Sequence, residues 1–186
     1  MNSLRLQTER LLLVAGDLEL ALAESGDRKK FSELLDADIP ANWPPPLNDE
    51  QSHQWVINFF KANPGAVGWS LWYFLLDRPG ERRLAIGNGG LKGLPSPDGT
   101  AEVGYSTIPE FQRQGYAPEA TEALIAWTFG HPQITRVIAH TLPELQASIR
   151  VMEKNGFTFT GAGLEPGTIG YELKRENWQR GLKRAR

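Results

Sequence analysis

The chain has 186 residues, with 20 Lys+Arg against 22 Asp+Glu, three His and no Cys. The missing cysteines exclude a disulfide framework, a thiol nucleophile and a thiolate metal site, and a formal net charge of −2 gives no global attraction to nucleic acid. At 40% hydrophobic and 23% charged it reads as a folded chain. Roughly 150 residues per domain predicts a single domain over residues 1–186, ending in a basic tail over 176–186.

No apolar run reaches the roughly 18 residues that suggest a membrane span, and Arg5, Glu9 and Arg10 break the N-terminal stretch. A soluble, cytoplasmic protein without a membrane partner is expected, as a monomer or homodimer. Charge is uneven, since residues 1–50 hold ten acids and five bases, and residues 171–186 two acids and six bases. An acidic front suits a cationic substrate, and solvated helix faces explain it equally well.

In chain order, Leu4–Val14 reads as a strand. Asp17 caps a short helix to Glu24, and Asp27 a second to about Leu35. Residues 36–48 contain Pro40, Trp43, Pro44, Pro45 and Pro46, which predicts a stiff extended loop. Asn48 or Asp49 caps the next helix, on which Trp55, Val56, Phe59 and Phe60 fall at helical spacing. Three strands joined by tight turns follow: Trp69–Leu76, the glycine-rich and bulged Arg83–Leu94, and Ala101–Ile108. The second half alternates: a helix at about 118–130, a strand at Thr135–Thr141, a helix at 144–155, and strands near Phe157–Thr160 and Ile169–Leu173. The pattern predicts an α+β, or mixed α/β, domain.

The segment Pro109-Glu-Phe-Gln-Arg-Gln-Gly-Tyr-Ala-Pro-Glu119 joins a strand to a helix that starts without a capping residue. No Ser, Thr, Asp or Asn stands at residues 114–117 to accept from the first-turn amides. Those donors sit at the positive end of a helix dipole, and Gly115 and Ala117 leave the backbone approachable. A phosphate or pyrophosphate would satisfy them, as would water in an exposed turn.

Gln112-Arg-Gln-Gly115-Tyr-Ala117 resembles the Gln/Arg-x-x-Gly-x-Gly/Ala signature of the GNAT family of N-acetyltransferases. Thr8-Glu-Arg-Leu-Leu-Leu13 and Ala147-Ser-Ile-Arg-Val-Met-Glu-Lys-Asn-Gly-Phe157 are similar to its ribosomal-protein branch, and the resemblance covers about residues 6–175, which it implies are the domain core. The resemblance implies a mostly antiparallel central sheet flanked by helices, and acetyl transfer from acetyl-CoA to a primary amine, whether a protein N-terminus or a small molecule. It implies that Gln112, Arg113, Gln114, Gly115, Tyr116 and Ala117 bind the pyrophosphate of acetyl-CoA. It also implies that the strand bearing Tyr105, Ser106, Thr107 and Ile108 splays from its neighbour to pair with the pantetheine arm. Three positions depart from the pattern. Pro118 removes an amide, Leu145 replaces a cofactor-contacting Asn, and Met152 stands where many relatives carry a tyrosine acid. These departures keep a non-catalytic acyl-CoA-binding module open as the alternative.

The transfer needs an amine without its proton, a donor for the oxyanion, and a proton or positive field for the leaving thiolate. Strand alternation puts Glu102, Gly104 and Ser106 on one face, which makes Glu102 the candidate base, acting through water. Ser148, beside a stripe of Leu145, Ile149 and Met152 on its helix, is the candidate acid that also contacts the cofactor; Tyr116 and Tyr171 are weaker alternatives. Trp43, Trp69, Trp72 and His140 are candidates to line the acceptor pocket. The three histidines have no metal-ligand spacing, and no metal is expected.

Overall fold

The computed structural model describes residues 4–184. The first apolar stretch is a hairpin rather than one strand: β1 (Arg5–Gln7) and β2 (Leu11–Ala15) pair antiparallel across a turn at Thr8. Thr8 holds that turn locally, its Oγ1 accepting from the Leu11 amide at 2.9 Å and its own amide donating to the Leu11 carbonyl. Helices α1 (Leu18–Gly26) and α2 (Arg28–Leu35) begin at Asp17 and Asp27, whose carboxylates accept from Leu20 and Lys30 amides. After β3 (Ala37–Asp38) and the proline loop, Asp49 caps α3 (Glu50–Ala62) in the same way.

The meander is β4 (Leu71–Leu76), β5 (Arg83–Leu91) and β6 (Thr100–Thr107). Phe74 pairs with Gly87 but Leu75 with Ala85, so Ile86 is the extra residue of a bulge. The glycines permit a tight sheet: a Cβ on Gly89 would stand 2.6 Å from the Gly104 carbonyl and 2.7 Å from the Phe74 ring.

A 3-10 turn at Pro109–Phe111 leads to α4 (Tyr116–Phe129), then β7 (Arg136–Thr141), α5 (Gln146–Lys154), β8 (Thr158–Ala162), β9 (Ile169–Lys174) and α6 (Arg175–Arg184). The segment expected to be a basic tail therefore continues as helix to Arg184. It is anchored by Arg175, which donates to the carbonyls of Phe129, His131 and Ile134, and by Trp178 stacked on Phe129 at 5.0 Å. Satisfying the orphan carbonyls at the end of α4 is what its cationic residue does.

The sheet order is β1-β2-β4-β5-β6-β7-β9-β8, with β3 against β5. Pairing is antiparallel except for β3/β5 and β6/β7. Both faces of the sheet's first half are covered. Leu11, Leu13, Trp72, Phe74 and Val103 face α4 in the larger core, whereas Leu12, Val14, Tyr73 and Leu75 face α1 and α2 in a second one. This is a mixed α/β fold with a central, mostly antiparallel sheet flanked by six helices.

Candidate active site

Two neighbouring strands part in the middle of the sheet. β6 and β7 pair over Thr100↔Arg136, Ala101↔Val137 and Glu102↔Ile138, and no pairing follows for the remaining five residues of β6. Backbone direction there follows from the β5 side. The Lys92 amide donates to the Glu102 carbonyl and the Ile108 amide to the Ile86 carbonyl. Even-numbered residues thus spend their backbone groups on β5, and Val103, Tyr105 and Thr107 turn theirs toward the gap. Ser106 and Ile108 correct the expectation that all of 105–108 face it. Ile108 is 1% exposed, and Ser106 donates its hydroxyl to the Pro46 carbonyl at 2.6 Å.

Beyond β6, the loop into α4 has the form its sequence suggests. Gly115 stands at the N-cap with φ 87° and no side chain caps the helix. Arg113 also has a left-handed φ of 61°. Gln112 and Gln114 hold the loop itself, donating to the carbonyls of Thr107 and Glu110. Arg10 reaches in from the first hairpin: it donates to the Gln114 carbonyl at 3.0 Å, its guanidinium lies 4.4 Å from the Tyr116 ring centre, and it pairs with Glu119 at 2.7 Å. The first helical turn presents free Tyr116 and Ala117 amides beside a cation; Pro118 has none to give. An uncapped helix end, a left-handed glycine and an open strand edge in continuous succession fit an anionic diphosphate with an extended arm.

The two faces of the gap differ. On the α4 face, the Tyr105 hydroxyl donates to the Ser148 carbonyl at 3.0 Å and lies 3.4 Å from Ser148 Oγ. Burial pushes the Tyr105 phenol up to about 12, against a smaller downward pull from Ser148, so it keeps its proton at neutral pH. The expected stripe is partly wrong: Leu145 is 38% exposed, while Val151 and Met152 are the buried residues of α5. Leu145 precedes the helix rather than packing within it.

On the opposite face stand Glu102, Gly104, Ser106 and His140. Glu102 Oε1 is 2.9 Å from His140 Nδ1 and 2.5 Å from Lys92 Nζ. Burial alone raises the Glu102 carboxyl, but the bonds from His140 and Lys92 outweigh it and hold the group below the ordinary carboxylate range. A Cβ added to Gly104 would meet nothing within 4 Å, so the space above it is open. The proline loop closes over the same face through Ser106 to Pro46 and Asn88 to Asn48 at 2.9 Å.

The three tryptophans do not line this face. Trp72 is 0% exposed and points to α4, with its indole N–H on the Gly68 carbonyl. Trp69 lies on that side too, against Trp127 and His131 at 5.0 and 4.8 Å. Trp43 is turned into the second core, packed on Phe31 and donating to Glu24 Oε1 at 2.8 Å. Sequence reasoning missed Lys92 and the anchoring Glu24, the first because its role depends on register. The Glu24 side chain is 2% exposed and also accepts from Tyr73 OH at 2.7 Å.

Comparison with known proteins agrees with this geometry. The acetyltransferase (GNAT) domain model matches residues 17–158, and the chain belongs to that family, whose members use acetyl-CoA as acetyl donor to amines. It is an acetyl-CoA-dependent acetyltransferase. An uncharacterized N-acetyltransferase, YjdG, of Bacillus subtilis is 27% identical over 82% of this chain and 88% of its own length. The ribosomal-protein-S5-alanine acetyltransferase of Vibrio fischeri superposes with TM-score 0.63 at 18% identity, covering 94% of this chain and 98% of that one. The aminoglycoside acetyltransferase AAC(6')-Ib in complex with coenzyme A does so with TM-score 0.60 at 19% identity, over 92% and 99%. At such identities the two structures share the fold.

Proposed function

We propose that the chain acetylates a primary amine by direct attack within a ternary complex, the acceptor being a protein N-terminus or a small amine. The observation that carries this reading is the parting of β6 from β7 just beyond Glu102, in line with the uncapped start of α4. Acetyl-CoA, when bound, supplies an activated acyl group on sulfur. The Tyr116 and Ala117 amides, with Arg10 beside them, hold the diphosphate end, Gln112, Arg113 and Gln114 shaping the loop around Gly115. The backbone edge at Tyr105 and the Thr107 amide align the extended arm as an added strand, the Thr107 carbonyl being held by Gln112. On one side of the gap the Glu102–His140–Lys92 cluster takes up the amine proton. On the other, Ser148 offers a hydroxyl to a departing thiolate, held in place by the Tyr105 bond to its carbonyl. A scaffold shared by enzymes named for a ribosomal protein and for aminoglycosides supports including both acceptor types in the test.

The test is incubation of the purified protein with acetyl-CoA and a panel of peptides with free N-termini, polyamines and aminosugars. The reading predicts amine-dependent release of free thiol and a product heavier by one acetyl group. Binding of acetyl-CoA without thiol release for any amine would instead support a non-catalytic module.

A further inference from the structure

We propose that His140 is the general base of this reaction and that Glu102 is its positioning residue, an assignment that rests on the amine-acetylation reading above. β7 alternates: Val137 and Ala139 enter the core under α4, so Arg136, Ile138 and His140 share the face of Glu102. Ile138 is the last residue paired with β6, which puts His140 one step past the parting point, on the margin of the gap and across from the open space at Gly104.

The ring is fixed and oriented. Its Cδ2 would lie 3.0 and 3.5 Å from a Cβ on Gly163 and Gly170, so two glycines let it lie flat against the β8–β9 hairpin. Its Nδ1 is 2.9 Å from Glu102 Oε1. An ionised carboxylate only accepts, so Nδ1 carries the ring proton and Nε2 keeps its lone pair. Among the described residues no protein group meets Nε2, and it is not one of the buried atoms left without a partner. A free lone pair reached from solvent, on a ring whose other nitrogen is held by a carboxylate, is the arrangement a base requires.

Glu102 is less suited to the same task. Its Oε1 already takes both Lys92 and His140. Those bonds hold its carboxyl below the ordinary carboxylate range, which makes it a weak acceptor for the proton of an attacking amine. The other charged groups on this face are spent on each other, Glu172 pairing with Arg136 at 3.8 Å and with Lys174 at 3.4 Å. In the step, the amine nitrogen forms a bond to the acetyl carbon as the carbon–sulfur bond breaks. The amine attacks in its neutral form, and the one proton its nitrogen sheds on forming the amide passes to His140 Nε2 and then to solvent. The electron pair of the broken bond leaves on sulfur, which is protonated from the Ser148 side.

Three measurements test this. With saturating acetyl-CoA and amine, kcat of the wild type rises with pH along a limb whose midpoint coincides with the titration of the His140 ring, followed by NMR in the acetyl-CoA complex. His140→Asn lowers kcat about 100-fold and abolishes the limb, while the rise in Tm on adding acetyl-CoA is retained. Glu102→Gln lowers kcat about tenfold or more, because an amide does not fix the ring tautomer. A limb that persists in His140→Asn, or a midpoint that differs from the ring's titration, overturns the assignment and returns the base to Glu102. If His140→Asn does not fold, the wild-type coincidence and His140→Gln decide. Transfer with an unaltered limb defeats this inference alone; absence of transfer to any amine defeats the proposed function and this role together.

Discussion

Arg10 Nη2 and Glu119 Oε2 meet at 2.7 Å, joining the turn of the first hairpin to the first turn of α4. Glu119 Oε1 also accepts from Thr8 Oγ1 at 2.6 Å and from the Arg10 amide at 2.8 Å. The Thr8-Glu-Arg motif thus acts as a clamp on the start of α4 from 109 positions away. Burial raises the Glu119 carboxyl, but the bonds from Thr8 and Arg10 outweigh it and leave it below its ordinary range.

Breaking the clamp should loosen the loop more than the chemistry. Arg10 is 40% exposed, so solvent screens the pair, and Arg10→Ala is expected to cost only about 1 kcal/mol of stability. It raises KM for acetyl-CoA several-fold with kcat nearly unchanged, which steady-state kinetics reads directly. Because the Glu119 carboxyl is lowered in the folded state, its contribution is present above the unfolded value of about 4.3 and lost as pH falls through the folded one. Urea melts should therefore show the Glu119→Gln penalty shrinking below that range.

Gly115 should tolerate no side chain. At φ 87° an L-residue costs roughly 1–2 kcal/mol, and an added Cβ stands 3.1 Å from Arg10 Nη2, where an approaching anion needs room. Gly115→Val is expected to weaken acetyl-CoA binding at least about tenfold by calorimetry. Gly65→Ala, where a Cβ meets nothing within 4 Å, leaves it unchanged.

The buried Glu24 anchors the loop that closes over the Glu102 face of the sheet. Glu24→Ala strands the Trp43 indole N–H and the Tyr73 hydroxyl, and at about 1–3 kcal/mol for each unpaired group Tm should fall by about 4–24 °C. His53 Nε2 stands 2.9 Å from Glu24 Oε2, though off the line of a hydrogen bond. The approach of this carboxylate raises the His53 imidazole, against the opposing effect of burial. A raised histidine stabilises fully below its unfolded value of about 6.5 and loses that contribution as pH rises through the folded one. The stability gap between wild type and His53→Gln should accordingly close on going from acid to alkaline pH.

Ser148 and Tyr105 touch, so their substitutions should not add. Each of Ser148→Ala and Tyr105→Phe is expected to lower kcat about tenfold or more, and the double variant by less than the product of the two.

What the sequence disclosed depended on whether a residue type carries the information. The absence of a capping side chain before Tyr116 is visible in the letters, and so is the alternation that puts Glu102 opposite Val103. The end of β6/β7 pairing is not, because no residue at Val103 or Ala139 encodes where two strands part. The tryptophans misled for a related reason. β4 is buried on both faces, so Trp72 and Tyr73 look alike in sequence although they enter different cores. The hairpin at Thr8 was hidden because its turn is held by a hydroxyl rather than by glycine or proline. His140 stands in the sequence as a pocket-lining candidate, but its bond to Glu102 follows only from the register of β7.

Amide hydrogen exchange with and without acetyl-CoA tests the central claim most directly. If the strand gap and the start of α4 hold the acyl donor, the amides of Tyr105, Tyr116 and Ala117 become protected on binding, while those of Gly104 and Ser106, already turned to β5, change little. Unaltered exchange at those three amides in the presence of saturating acetyl-CoA would contradict the account.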